Sequence, residues 1–175
     1  TIFVTHDQRE ALSMSDRIVV MKDGRKQQEG GPEDVYNNPV NHFVADFLGH
    51  SNFFNAEVLG REGDYTRVRV EDGNEIHASG SEAWKQGEPV ELVVRAQKFD
   101  ILPDKEDVSA PEINTFKGVV KDRSYMGGEV SYFIELPNGT VLHAISMVST
   151  RPYRRGETVL IHAPPRHCGL LRRED

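Results

Sequence analysis

The residues Thr5-His6-Asp7 sit where an apolar run, Ile2-Phe3-Val4, gives way to a polar, helix-forming stretch. Histidine changes charge near neutral pH, so one ring nitrogen can meet a phosphate or a water while the protein holds the other. In a parallel α/β sheet, ligands gather beyond the carboxyl ends of the strands. His6 is therefore the first candidate for chemistry, although a lone histidine at a strand end is often structural. The other six histidines are His42, His50, His77, His143, His162 and His167. None stands in H-x-x-x-H or H-E-x-x-H spacing, so no metal site is expected. No serine lies in a G-x-S-x-G context, which argues against a nucleophile elbow. Arg151, Arg154, Arg155, Arg166, Arg172 and Arg173 gather positive charge near the end of the chain. They could form an anion or effector site, but a solvated rim is the simpler expectation. Cys168 is the single cysteine, which excludes an internal disulfide, and a packed small residue is expected there.

A phosphate-cradling loop needs G-x-x-x-x-G-K-[ST]. The sequence has no Gly-Lys dipeptide, no Ser-Gly-Gly, and no apolar strand ending in Asp-Glu that could hold Mg²⁺. The 175 residues by themselves are expected neither to bind nor to hydrolyse ATP. Composition narrows the classes further. Lys+Arg is 21 against Asp+Glu 28, a net charge of −7. That balance argues against wrapping nucleic acid or lying on an anionic membrane. The longest apolar runs, such as Ile18-Val19-Val20-Met21, fall far below the ~20 residues that span a bilayer. No secretory or transit peptide opens the chain, so a cytosolic protein is expected. Ile2-Phe3-Val4 reads as a strand already under way, as expected of a piece of a longer polypeptide.

The elements that would position His6 follow from pattern. Residues 2–5 are β-branched and aromatic, as in a central parallel strand. Residues 7–15 read as a helix with Asp7 as N-cap and Glu10 at capping-box spacing. Residues 17–22 form a second strand, and Asp23-Gly24 supplies the turn that follows it. Pro32 opens a short helix through Tyr36, which Pro39 stops. A helix over 41–48 places Phe43, Val44, Phe47 and Leu48 on one side and ends at Gly49. Strand, helix, strand at the start predicts α/β architecture. After His50 the texture becomes all-β. Short strands recur between Asp72-Gly73, Gln86-Gly87, Asn138-Gly139 and Arg155-Gly156, the rhythm of a small barrel or sandwich. Residues 130–136 alternate, and 141–147 return after Asn138-Gly139. Tyr125, Tyr132 and Phe133 lie at strand periodicity and are expected in the core rather than on a base-stacking platform. One boundary falls near residue 50, with an acidic linker and internal seam near 103–113.

Thr1 to Ala11, then Ser15-Asp16-Arg17-Ile18-Val19-Val20-Met21 and Gly24, resembles the switch-histidine segment of ATP-binding-cassette (ABC) ATPases. Glu29-Gly30-Gly31-Pro32-Glu33-Asp34-Val35-Tyr36, Pro39 and Phe43 to Gly49 resemble the end of that domain in importer-type members. Residues 51–59 resemble the junction found in polyamine and iron importers. Gly118-Val119-Val120, Tyr125-Met126-Gly127-Gly128, Tyr132 to Leu136, Gly139 to Ala144 and Gly156 to Leu160 resemble the regulatory TOBE (transport-associated oligonucleotide-binding-like) domain.

The resemblance implies an α/β remnant of an ABC nucleotide-binding domain over 1–50, followed by an all-β OB-like TOBE barrel over 51–175. It implies that His6 contacts the γ-phosphate and helps orient the attacking water. ATP and Mg²⁺ would serve the full-length subunit, with no cofactor or metal held by these residues alone. The expected partners are a second copy of the chain and the membrane permease subunits, with no nucleic acid. The expected location is the cytoplasmic face of the membrane, reached through the permease. The implied role is coupling ATP hydrolysis to solute uptake, with the β domain serving regulation and dimerisation. Two other classes stay open: a β-barrel that senses a small anion, and an oligonucleotide-binding barrel.

Overall fold

A computed structural model of the chain describes residues 1–80, 83–105, 113–148 and 151–173. It divides into two compact units, residues 1–50 and Ser51–Arg173.

The first unit starts with α1 (Gln8–Met14), capped by Asp7. β1 (Ile18–Lys22) and β2 (Arg25–Gly30) then pair as an antiparallel hairpin. Asp23 and Gly24 both take positive φ, 49° and 73°, as a tight two-residue turn requires. Two helices follow, α2 (Pro32–Asn37) and α3 (His42–Phe47). Asn41 caps α3 by accepting the Val44 amide through its side chain. Ile18 and Val20 point to one face of β1, where they pack with Val35, Val44 and Leu48 as a small core.

Residues 2–5 form no strand. Ile2, Phe3 and Val4 are 92%, 59% and 90% exposed. A central strand needs ladder partners on both sides, and the hairpin partner of β1 is β2 alone. The unit is therefore a hairpin with three short helices, and the parallel strand expected over 2–5 does not form.

The second unit is all-β. Its strands are β3 (Ser51–Glu62), β4 (Tyr65–Val70), β5 (Glu75–Ala78), β6 (Pro89–Arg95), β7 (Asp100–Pro103), β8 (Thr115–Met126), β9 (Glu129–Glu135), β10 (Val141–Met147), β11 (Thr158–His162) and β12 (Cys168–Arg172). They make two five-stranded sheets, β12-β6-β3-β4-β5 and β10-β9-β8-β11-β7, and all pairings are antiparallel. The first sheet curls into an OB-like half-barrel. Just after β5, the Ser79 amide donates to the carbonyl of Cys168 at 2.8 Å, where β12 begins. The two twelve-residue strands, β3 and β8, each carry an irregularity, at Val58/Gly60 and Val120/Asp122. Such bulges bend a long strand and let it serve a curved sheet.

One core lies between the sheets. Val68, Val90, Leu92 and Val94 meet Val120, Tyr132, Ile134, Leu142, Val159 and Ile161. Gly118 has no room for a side chain. A Cβ there would lie 2.7 Å from Ile134 Cγ2 and 3.0 Å from the Glu135 carbonyl.

Of the three aromatics expected inside, only Tyr132 is buried, with Tyr153 edge-on at 6.0 Å. Phe133 is one residue out of phase with Tyr132, so the pleat turns it to the other face. There it stacks on His143 with ring centroids 4.8 Å apart. Tyr125 is 57% exposed near the end of β8, under the Arg123 guanidinium. The acidic linker lies mostly outside the described residues. Its first residue, Pro103, pairs with Val159 in the second sheet.

Candidate functional site

Residues 5–10 form a closed hydrogen-bonded turn around His6. The Asp7 carboxylate accepts the amides of Arg9 at 2.8 Å and Glu10 at 3.3 Å, so two of the orphan donors of α1 are satisfied. Those bonds hold the Asp7 carboxyl below its ordinary pKa of 3.8, the Glu10 and Arg9 amides acting first. The Asp7 amide donates to Thr5 Oγ1 at 3.0 Å, and Thr5 Oγ1 donates to Glu10 Oε2 at 2.8 Å. Thr5 and Asp7 are half-buried, and the His6 side chain between them is exposed. Capping-box spacing points Glu10 at the Asp7 amide; in the structure the Thr5 hydroxyl stands between them. Thr5 is the residue that spacing alone misses, because an ST-turn hydroxyl leaves only a weak sequence signal.

This turn offers an exposed imidazole but no phosphate cradle. The Arg9 and Glu10 amides, which could otherwise face an anion, already meet the Asp7 carboxylate. With no Gly-Lys dipeptide in the chain, the residues present do not fit a complete nucleotide or Mg²⁺ site. At most they supply one ligand to a phosphate held elsewhere.

The other candidates do not converge. All six late arginines are exposed. Arg172 pairs with Glu88 at 2.9 Å and lies over Trp84 at 5.0 Å, as a solvated rim would. Three histidines sit in local pairs: His77 with Glu62 at 3.5 Å, His143 with Ser131 at 2.7 Å, and His162 with Thr115 at 3.1 Å. Among the described residues no group of three or more His, Cys, Asp and Glu could hold a metal. Cys168 is fully buried, and burial pushes its thiol up to about 12. A small apolar cavity of about 30 Å³ lies beside it, lined by Phe54, Leu92, Phe99 and Phe116 among others.

Two buried asparagines escape sequence reasoning. Asn52 accepts the His143 amide and donates to the His143 carbonyl, both at 2.8 Å, linking β3 to the edge strand β10. Asn114, at φ 56°, joins His77, Ala163 and Cys168. Tolerance of left-handed backbone is the one local hint of the second clamp. Among the described residues no helix is long and apolar enough to cross a membrane.

Residues 92–171 match the TOBE domain family. The chain is 38% identical over 174 residues to the spermidine/putrescine import ATP-binding protein PotA of Ruegeria pomeroyi, covering 98% of this chain and 45% of that protein. It is 42% identical over 148 residues to PotA of Escherichia coli K12, covering 81% of this chain and 36% of the relative. The chain thus spans less than half the length of these relatives. Among solved structures, the cytoplasmic molybdate-binding protein ModG, with molybdate bound, superposes with a TM-score of 0.61 at 18% identity. That match covers 68% of this chain and 94% of ModG, and at such identity the likeness is one of fold. The alignment with the Ruegeria pomeroyi protein runs through the His6 turn as well as the β unit, so the chain corresponds in sequence to the C-terminal part of an ABC importer ATP-binding subunit with a TOBE domain.

Proposed function

We propose that this chain forms the C-terminal part of the subunit that couples ATP hydrolysis to solute uptake in an ABC importer. In this reading residues 1–50 close the ATPase domain, and residues 51–175 form the regulatory and dimerisation domain. The observation that carries it is the 38% identity to an import ATP-binding protein across 98% of the chain, the His6 turn included. His6 is the one catalytic residue here, placed to contact the γ-phosphate and orient the attacking water. Phosphoryl transfer depends on positioning and charge stabilisation more than on covalent chemistry, so an exposed imidazole on a fixed backbone suits the task. The phosphate cradle and the Mg²⁺ ligands belong to other parts of the full-length subunit. When bound, ATP with Mg²⁺ supplies the transferable phosphoryl group.

The partners in this reading are permease subunits, which hold the protein at the cytoplasmic face of the membrane. The names of the relatives make polyamines the first cargo to test. The direct experiment reconstitutes the full-length subunit with its permease in vesicles and follows ATP-dependent uptake of labelled spermidine and putrescine. Uptake that needs neither ATP nor this subunit would refute the reading.

Self-association is part of the same proposal. Met126 and Met147, 50% and 73% exposed, both lie opposite Glu129 and so share one face at the end of the second sheet. An exposed apolar patch beside a sheet edge is commonly covered by a two-fold contact. Light scattering of the chain over ~10–100 μM should give a mass rising to that of two copies. A single-chain mass throughout that range would reject the dimer.

A further inference from the structure

The turn around His6 is closed by a relay rather than by an ordinary capping box. In the ordinary form the carboxylate at the third helical position accepts the N-cap amide directly. Here the Asp7 amide donates to Thr5 Oγ1, and the Thr5 hydroxyl spends its single proton on Glu10 Oε2. A hydroxyl has one donor and two acceptor sites, so it can pass the connection on in one direction only. From the other side the Asp7 carboxylate holds the Arg9 and Glu10 amides. The residues on either side of His6 are therefore both tied down, while His6 itself stays exposed.

We propose that Thr5 and Glu10 are positioning residues for His6: their side-chain bridge fixes the backbone from which the imidazole reaches the phosphate. This rests on the role given to His6 above. A group that orients water against a phosphate must be held closely, and misplacement by about 1 Å can lower a rate ~10²-fold. The relay has no other evident work to do. α1 already has its N-cap in Asp7, its residues are not buried, and it ends after seven residues. The Thr5–Glu10 bond, on an exposed surface, adds order to the turn more than stability to the unit.

The test uses the full-length subunit assembled with its permease. Thr5→Val keeps the shape of the side chain and removes both relay bonds, whereas Thr5→Ser keeps the hydroxyl. Thr5→Val should lower kcat about 10-fold, with KM for ATP changed by less than about 2-fold, because the lost interaction acts on the transition state. Thr5→Ser should remain within about 3-fold of wild type. The double variant His6→Ala/Thr5→Val should turn over no more slowly than His6→Ala, as expected of residues that act as a unit. Glu10→Ala removes only the exposed end of the relay, and it repeats the test if Thr5→Val folds poorly. A further 10-fold loss on the His6→Ala background would overturn the positioning role. So would equal impairment in Thr5→Ser and Thr5→Val. Wild-type turnover in Thr5→Val beside lost turnover in His6→Ala would reject the relay and leave His6 in place. Wild-type turnover in His6→Ala would remove both.

Discussion

Replacing Asn114 by alanine should cost the β unit about 4–5 kcal/mol, and the structure lets that number be built group by group. Asn114 Oδ1 accepts the His77 amide at 2.8 Å. Its Nδ2 donates to the His77 carbonyl at 2.8 Å and to the Ala163 carbonyl at 2.9 Å. Truncation leaves three backbone groups without this partner. Ala163 is buried at 3% exposure and its carbonyl would keep only the weak Cys168 thiol donor at 3.6 Å, so losing Asn114 there should cost about 2 kcal/mol. The two His77 groups are only part-buried and water can partly replace the amide, so about 1 kcal/mol each is appropriate. Alanine at φ 56° adds about 1 kcal/mol for the left-handed backbone. A loss of this size is a large share of the ~5–15 kcal/mol that holds a domain together, and should lower Tm by on the order of 15 °C. Chemical denaturation with linear extrapolation measures it, and Asn114→Gly separates the causes. Glycine accepts the positive φ freely, so if hydrogen bonds carry the effect it should fall within about 1 kcal/mol of alanine. Asn114→Ala within 1 kcal/mol of wild type, or Asn114→Gly equal to wild type, would refute the reasoning.

Three further outcomes follow from the same structure. Cys168 should resist maleimide at pH 8 in the native chain and react within minutes in denaturant, since the reactive thiolate is scarce when burial holds the thiol near 12; rapid native labelling would contradict its burial. The Asp7 cap should be fully present above pH 3.8 and be lost as pH falls through its lowered folded pKa; an Asp7 carboxyl titrating at or above 3.8 by NMR would show that the Arg9 and Glu10 amides do not favour the ionised form. Calorimetric titration of the 175-residue chain with MgATP should show no micromolar binding, because the sequence has no Gly-Lys dipeptide for a phosphate loop.

What was legible in the sequence was mostly local. Asp7 caps its helix because its side chain reaches amides two and three residues ahead, a relation that spacing alone reveals. Gly73, Gly87, Gly139 and Gly156 all take φ between 81° and 87°, so dipeptides ending in glycine marked real turns. The alternation over 130–136 put Val130, Tyr132, Ile134 and Leu136 on one face, and all four are buried. What failed depended on partners far along the chain. The run 2–5 has strand composition, but a strand exists only through its neighbours, and β1 turns instead to β2. Tyr125 and Phe133 lie in strands, as Tyr132 does, yet a strand end in β8 and the opposite phase of the pleat in β9 expose them. The Asn52 and Asn114 clamps join positions 91 and 49 residues apart, beyond the reach of any local pattern. At the site, His6 stood out by its motif. The Thr5 relay did not, because it depends on which oxygen a hydroxyl proton faces.

The role of His6 is measured by steady-state ATP hydrolysis in the full-length subunit carrying His6→Ala, assembled with its permease. A group that acts chiefly in the transition state should, when removed, lower kcat by about 10²-fold or more while leaving ATP affinity nearly unchanged. Wild-type turnover in that variant would remove His6 from the mechanism.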